Sequence, residues 1–296
     1  MAGLGPQAAG KLAATWFSRL RGRALGISSV GTSAGGLAVP PLVAAAIAAW
    51  GWRGAAVVGA VLLGVGAWPT VALSIRNRPA DLGLYPDGDA QPPPAPPGGA
   101  AGGWAFGRLA RERNFWVIAL VIGTIFGTVS GIISNLPPLV AEFGVESQQA
   151  AALLSLLSLA GIAGKLCFGA VADRLDKRLL VWSGMSMLVG FLMIASSDPS
   201  LTVLVAATGA MGFALGGALP LWGALIGDCF GPEAFGEVMG WMGPVMLPFN
   251  IVGIQLLPWC YDHFGSYVPG LRICIGAILG AALLLLLLRL PERRRN

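Results

Sequence analysis

A single lysine, Lys165, interrupts the otherwise uncharged run AALLSLLSLAGIAGKLCF (151–168). Eight residues on comes Asp173, within GAVADRLDKR (169–178), which carries five charges in ten positions. Along a helix that separation is about 12 Å at 1.5 Å per residue. The half-thickness of a bilayer's hydrocarbon is about 15 Å, so a helix whose end lies at Asp173 carries the Lys165 backbone near mid-membrane. Ser155, Ser158, Gly161, Lys165 and Gly169 recur at helical spacing. Apart from the lysine, that is a stripe of small residues suited to face protein, so Lys165 is expected to face away from lipid. No acid lies nearby in the run, and a cation so placed suits an anionic ligand. The alternative is that Lys165 snorkels to the cytoplasmic headgroups. Asn250 and Gln255 also lie in an apolar run, where amides are costly unless paired. They either line a cavity or join helices. Asn135 and Trp222 are further cavity candidates.

The rest of the composition says what must position these groups. Of 296 residues, 55% are hydrophobic and 11% charged, with a mean hydropathy of +0.74. Soluble domains carry about a quarter charged residues, so this chain cannot cover a water-facing surface. An all-α polytopic membrane protein is predicted, with the lipid bilayer as its surroundings. The 44 glycines agree, since small residues let membrane helices approach closely. The net charge of +5 is spread over short runs and reads as membrane topology, not as a nucleic-acid footprint. One histidine, and four cysteines without metal spacing, leave no catalytic residues, metal site or cofactor expected.

Apolar stretches long enough to span lie near 25–49, 54–75, 115–140, 148–172, 179–196, 201–227, 236–260 and 270–289. That is about eight full spans, with residues 1–17 a partial first one. The opening MAGLGPQAAGKLAATWF lacks the basic start of a signal peptide and reads like the tail of a membrane helix that has lost its beginning. Residues 76–113, rich in Pro and Gly, are predicted to be a solvated linker between two bundles, 1–75 and 114–296. Almost all Lys and Arg fall in the breaks SRLRGR (18–23), the linker, DRLDKR and RLPERRRN. The positive-inside rule places that set, with the C-terminus, in the cytoplasm. Cys229 then lies near the cytoplasmic face and Cys260 near the outer one. DCFGPEAFGE (228–237) shares the cytoplasmic side although it is acidic. A faint repeat supports related halves: GRALG (22–26) and GEVMG (236–240) share glycine spacing, and Gly51 matches Gly265 at the same offset.

The charged run is then a tight cytoplasmic turn between antiparallel helices. Gly169 allows close contact, and Asp173 can accept backbone N–H bonds from a neighbouring helix start, where the dipole favours an anion. Arg174, Lys177 and Arg178 hold that end at the cytoplasmic face. Its pattern G-x-x-x-D-R-x-x-K-R resembles the loop signature of the major facilitator superfamily, in the copy between helices eight and nine. WFSRLRGRALGISSVGTSAGG resembles that family's passage from helix four into helix five. RPADLGLYPDG resembles the start of the central loop in its carboxylate-transporting branches, and FGEVMGWMGP with YDHFGSY resembles helix eleven.

The resemblance implies helices four to twelve of major-facilitator-like bundles, in a cell inner (plasma) membrane. Helices one to three have no counterpart, so residues 1–296 alone are expected to insert without catalysing uptake. It implies secondary active transport of a small solute by alternating access, as symporter or antiporter, and no enzyme activity. The oxalate/formate and monocarboxylate branches carry a basic residue in helix eight, usually Arg; the matching position here is Lys165. That implies a small organic anion as substrate. The family's loop signature pairs with acidic groups at neighbouring helix ends and latches the inner gate. Asp228, Glu233 and Glu237 are the acids available, with Arg174–Asp228 the expected pair. GTSAGGLAVPP (31–41) loosely resembles the helix-five antiporter motif, and its Gly and Pro indicate close packing and a kink. A membrane remnant or assembly partner that does not transport is the other reading.

Overall fold

The computed structural model describes residues 6–17, 19–74, 76, 79–89, 106–197 and 199–290. Among these, every regular element is helical. In chain order, α1 is Pro6–Trp16 and α2 is Arg21–Val61. A π-helical stretch, Leu62–Ala67, carries α2 on into α3, Trp68–Ser74. Short α4 is Phe106–Leu109, followed by α5 Arg113–Ala141, α6 Ser147–Ala172 and α7 Lys177–Ala195. The long α8 is Leu201–Phe264 and α9 is Val268–Leu285.

Local chemistry sets the ends of these helices. Glu146 and Gln149 form a reciprocal capping box at the start of α6. Asp176 caps α7 by accepting the Arg178 N–H at 2.8 Å. Gly265, at φ 67°, closes α8 in the left-handed conformation that a side chain disfavours. Gly51 also has a positive φ, 68°, but its ψ of 172° is extended, so the predicted glycine pair shares the sign of φ and not the full conformation.

Seven helical stretches are long and apolar enough to cross a membrane: Ala45–Leu73, Arg113–Ala141, Gln148–Ala172, Lys177–Ala195, Leu201–Gly231, Ala234–Phe264 and Val268–Leu285. The chain is an all-α polytopic membrane protein. At the N-terminal end, the described residues of the expected spans 25–49 and 54–75 are helical on either side of Gly51 (φ 68°, ψ 172°), where the run kinks, and the apolar window falls across that point. Likewise the acidic break at 228–237 separates two spans, Leu201–Gly231 and Ala234–Phe264, and the chain turns between them at Gly231 (φ 82°, ψ 167°). Two arms result, joined without a linker because glycine alone tolerates that dihedral.

Helices α5 and α6 both pack on α8, α7 packs on α8 and α9, and α2 lies against α6 and α8. Phe115, Ile132, Leu136, Phe191, Met211 and Phe235 are fully buried among them. Leu159, Leu179, Met193 and Leu283 are exposed, as lipid-facing side chains would be. The window Ala45–Leu73 buries none of its residues against the rest of the described chain.

The start of the predicted linker is not simply solvated. Residues 79–89 form two 3-10 turns against the α1–α2 junction. The Trp16 indole N–H donates to the Arg76 carbonyl at 3.0 Å, the Arg19 amide donates to Asp87 at 2.7 Å, and the Arg19 side chain pairs with Asp89. Alternate hydrogen bonding of this kind folds the chain back where a free tail would extend. Residues 90–105 of the linker lie outside the described residues.

Candidate functional site

Helix α6 presents Lys165, Gly169 and Asp173 at successive i, i+4 positions on one face. That face lies against the first part of α2. A methyl group at Gly26 would sit 2.6 Å from the Lys165 carbonyl oxygen, and one at Gly22 would sit 2.6 Å from that of Gly169. From the other side, a methyl at Gly169 would sit 2.8 Å from the Gly22 carbonyl. The two backbones therefore touch where side chains are missing on both, the geometry that small residues give membrane helices.

An acid closes one end of this seam. Asp173 accepts from the Gly22 amide at 2.8 Å and from the Arg23 amide at 3.1 Å. These N–H groups belong to the first turn of α2, which has no intrahelical partners for them. The N-cap residue of α2, Leu20, offers no side-chain acceptor. A carboxylate from another helix replaces it, at the positive end of the helix dipole. The expectation that Asp173 accepts from a neighbouring helix start is met by α2.

A cation closes the other end. The Lys165 ammonium donates to the Ser29 carbonyl at 2.8 Å, the Thr32 hydroxyl oxygen at 2.6 Å and the Ser33 hydroxyl oxygen at 2.7 Å. An ammonium has three N–H donors, so all are used. Lys165 is only 8% exposed. Among the described residues its partners are neutral, and none of the ion pairs includes it. Its partners lie roughly 10–16 Å along α2 from Gly22, at 1.5 Å per residue. The side chain thus crosses to α2 and does not run back to the helix end at Asp173, as snorkelling would require. The sequence analysis did not single out Ser29, Thr32 or Ser33. Their signal is three hydroxyl residues at i, i+3 and i+4 in SSVGTS, a pattern too common in helices to stand out without the opposing lysine.

At the other side of the charged turn, Asp228 pairs with Lys177, not with Arg174. Asp176 caps α7 and so fixes Lys177 as its first residue, turned in towards the end of the first arm of α8, where it is 5% exposed. Arg174 lies in the turn itself and is exposed. Arg178 contributes its backbone N–H to the Asp176 cap. Glu237 is on the exposed side of the second arm, and the Glu233 side chain lies outside the described residues.

The amides fall on a different seam, between α5 and the second arm of α8. The Ser130 hydroxyl donates to the Asn250 carbonyl oxygen at 2.9 Å, and the Asn250 amide donates to the Met246 carbonyl at 3.2 Å. Asn135 is buried and donates to the carbonyls of Gly131 at 2.8 Å and Ile254 at 3.3 Å. Each amide has local partners, which is how joined helices satisfy polar groups in an apolar setting. Trp222 is buried between the arms of α8, its N–H 3.3 Å from the Met242 sulfur and its ring 6.0 Å from that of Phe126. Gln255 is exposed. None of these four hydrogen-bonds to Lys165. A separate cleft between α5, α7 and α8, lined by Ile122, Val129, Val181, Met185, Met211 and Leu221, is wholly apolar at those positions.

No cluster of His, Cys, Asp and Glu fit for a metal occurs among the described residues. Comparison with known proteins agrees with this membrane architecture. Mouse monocarboxylate transporter 11 is 28% identical over 282 residues, covering 90% of this chain and 59% of its own length. The cyanate transport protein CynX of Escherichia coli is 34% identical over 154 residues, covering 51% of this chain and 38% of its own. The membrane sensor protein UhpC of Salmonella typhimurium is 26% identical over 273 residues, covering 87% of this chain and 60% of its own. The chain spans about three-fifths of the length of the relatives that match most of it. The Major Facilitator Superfamily model matches residues 1–195 and again 121–296. With the whole length matched and the glycine seam, charged turn and spanning helices in place, this chain belongs to the major facilitator superfamily.

Proposed function

We propose that the protein carries a small organic anion, of monocarboxylate size, across the plasma membrane by alternating access. The observation behind this reading is Lys165: a buried cation, deep in a spanning helix, whose partners among the described residues are neutral oxygens. A charge at the centre of a membrane helix costs about 2.5–3.5 kcal/mol on insertion scales. Such residues mark ion and substrate paths, and a carboxylate is the partner this one lacks. The names of the mouse and Escherichia coli relatives refer to a monocarboxylate and to cyanate, both anions. Lys165 lies on the seam between α6, in the bundle formed by residues 114–296, and α2, in the partial bundle formed by 1–75. Rocking of these two bundles about that seam, with 76–113 as the cytoplasmic connection, would expose the lysine to each side in turn. The C-terminus is then cytoplasmic.

The test is counterflow of labelled lactate, acetate and oxalate in liposomes. Measured in a form of the protein that supports counterflow, extended at its N-terminus where residues 1–296 alone do not, Lys165→Ala should reach the membrane in normal amount yet lose at least about thirtyfold in exchange rate, the cost of deleting one partner of a buried charge pair. Exchange by Lys165→Ala at the parent rate would sink the proposal. A membrane protein that does not transport is the second reading. The similarity to a protein named as a membrane sensor favours it, and anion binding without counterflow would support it.

A further inference from the structure

The three oxygens around Lys165 all come from α2, and the cage they form is open on one side. Thr32 is exposed. An incoming anion approaches the ammonium from that Thr32 side. It would also be a better partner than those present. The Ser29 carbonyl already accepts the Thr32 hydroxyl proton at 2.6 Å, so it is shared between two donors. Hydroxyl and carbonyl oxygens bring only dipoles to the ammonium, whereas a carboxylate brings a full opposite charge. The ammonium has no fourth N–H. It can bind a carboxylate well only by releasing oxygens of the cage.

We propose that Ser29, Thr32 and Ser33 act as a built-in substitute for the substrate: they hold Lys165 when no anion is present, and a bound carboxylate takes the ammonium from them and frees that end of the α2–α6 seam. The inference rests on the reading of Lys165 as the anion site and adds what opposes it. Thr32 and Ser33 are then positioning residues that set affinity by competition. A site whose competent form is only partly populated binds with an affinity reduced by that fraction, and weakening the competitor restores it. Removing the hydroxyls therefore tightens anion binding, the reverse of what direct ligands or structural residues would show.

The experiment is equilibrium binding of labelled lactate, with acetate and oxalate as further probes, to the full chain in nanodiscs. The variants are Thr32→Val with Ser33→Ala, Ser33→Ala alone, Thr32→Ser and Lys165→Gln. The double variant should lower the half-saturating concentration by about tenfold, equivalent to about 1.4 kcal/mol. Ser33→Ala should lower it less, and Thr32→Ser should match the parent because it keeps the hydroxyl. If the double variant fails to fold, Ser33→Ala carries the test, since Thr32 and the Ser29 carbonyl remain. An unchanged or higher half-saturating concentration in the hydroxyl variants, while Lys165→Gln abolishes binding, overturns the inference and leaves the anion site standing. Undiminished binding by Lys165→Gln, or no saturable binding of any probe by the parent, overturns both.

Discussion

Lys165 and Lys177 are both buried lysines, and their partners give them different work. Among the described residues Lys165 meets dipoles only, whereas Lys177 meets a carboxylate, Asp228, at the end of the first arm of α8. In the proposed cycle the first changes partners. The second ties α7 to α8 next to the break at Gly231. A charge swap, Lys177→Asp with Asp228→Lys, should therefore recover more thermal stability than the single reversals predict. The expected coupling is about 1–3 kcal/mol, typical of contacting charges in one network. The same cycle on Arg174 and Asp228 should show coupling near zero. Melting curves in detergent decide between them, and coupling at Arg174 alone would contradict the observed pairing. The lysine at depth and the acid at a helix start were both legible in the sequence, because charge is rare in apolar runs and its position can be counted in residues. The choice between Lys177 and Arg174 was not. It depends on Asp176 starting α7 one residue earlier than the run of basic residues reveals. The hydroxyl cage was hidden for a related reason: Ser and Thr in a membrane helix usually bond their own backbone, and here Ser29 does so too, donating to Gly26 at 2.9 Å.

Glycines decide how closely the helices pack, and α2 offers a controlled comparison. Gly26 and Gly31 are on the same helix, yet only Gly26 faces α6. Gly26→Ala should push α2 off α6, because the backbone carbonyl of Lys165 cannot step aside. A loss of about 1–3 kcal/mol is expected, the usual cost of overpacking. Gly31→Ala meets nothing and should gain up to about 1 kcal/mol from helix propensity. Thermal denaturation of the two variants should move in opposite directions, and equal losses would mean that α2 does not lie on α6 as described. Spans of this kind are legible from hydropathy, since lipid demands unbroken apolar runs. The joints between them are less so. The break at 228–237 was legible, but not that a single dihedral at one glycine, Gly231, suffices to separate the arms of α8. At the linker's start, Pro and Gly content speaks only to local stiffness and says nothing of Arg19, which pairs with Asp87 and Asp89 at the α1–α2 junction.

At the scale of the whole molecule, the seam between α2 and α6 has a polarity, an acid at the end that the proposed topology places in the cytoplasm and a cation further along it. That assignment of sides rests on the distribution of Lys and Arg. Cys260 cannot report on it, being 0% exposed. Arg174 and Asp262 are exposed and lie at opposite ends of the proposed topology. An impermeant thiol reagent on intact cells should label Asp262→Cys and spare Arg174→Cys, and the reverse pattern would invert the topology. The architecture was legible because its causes are global: too few charges for water, enough glycine for close packing, and basic turns on one side. Its chemistry was legible only in part, since a site made by two helices needs both to be placed before it exists. The central claim is that the protein recognises its ligand through the charge of Lys165. Displacement of labelled lactate by lactamide, which keeps the shape and lacks the charge, measures that directly. Unlabelled lactate should displace the label, and lactamide should need a concentration at least about thirtyfold higher. Equal displacement by the two would contradict the account.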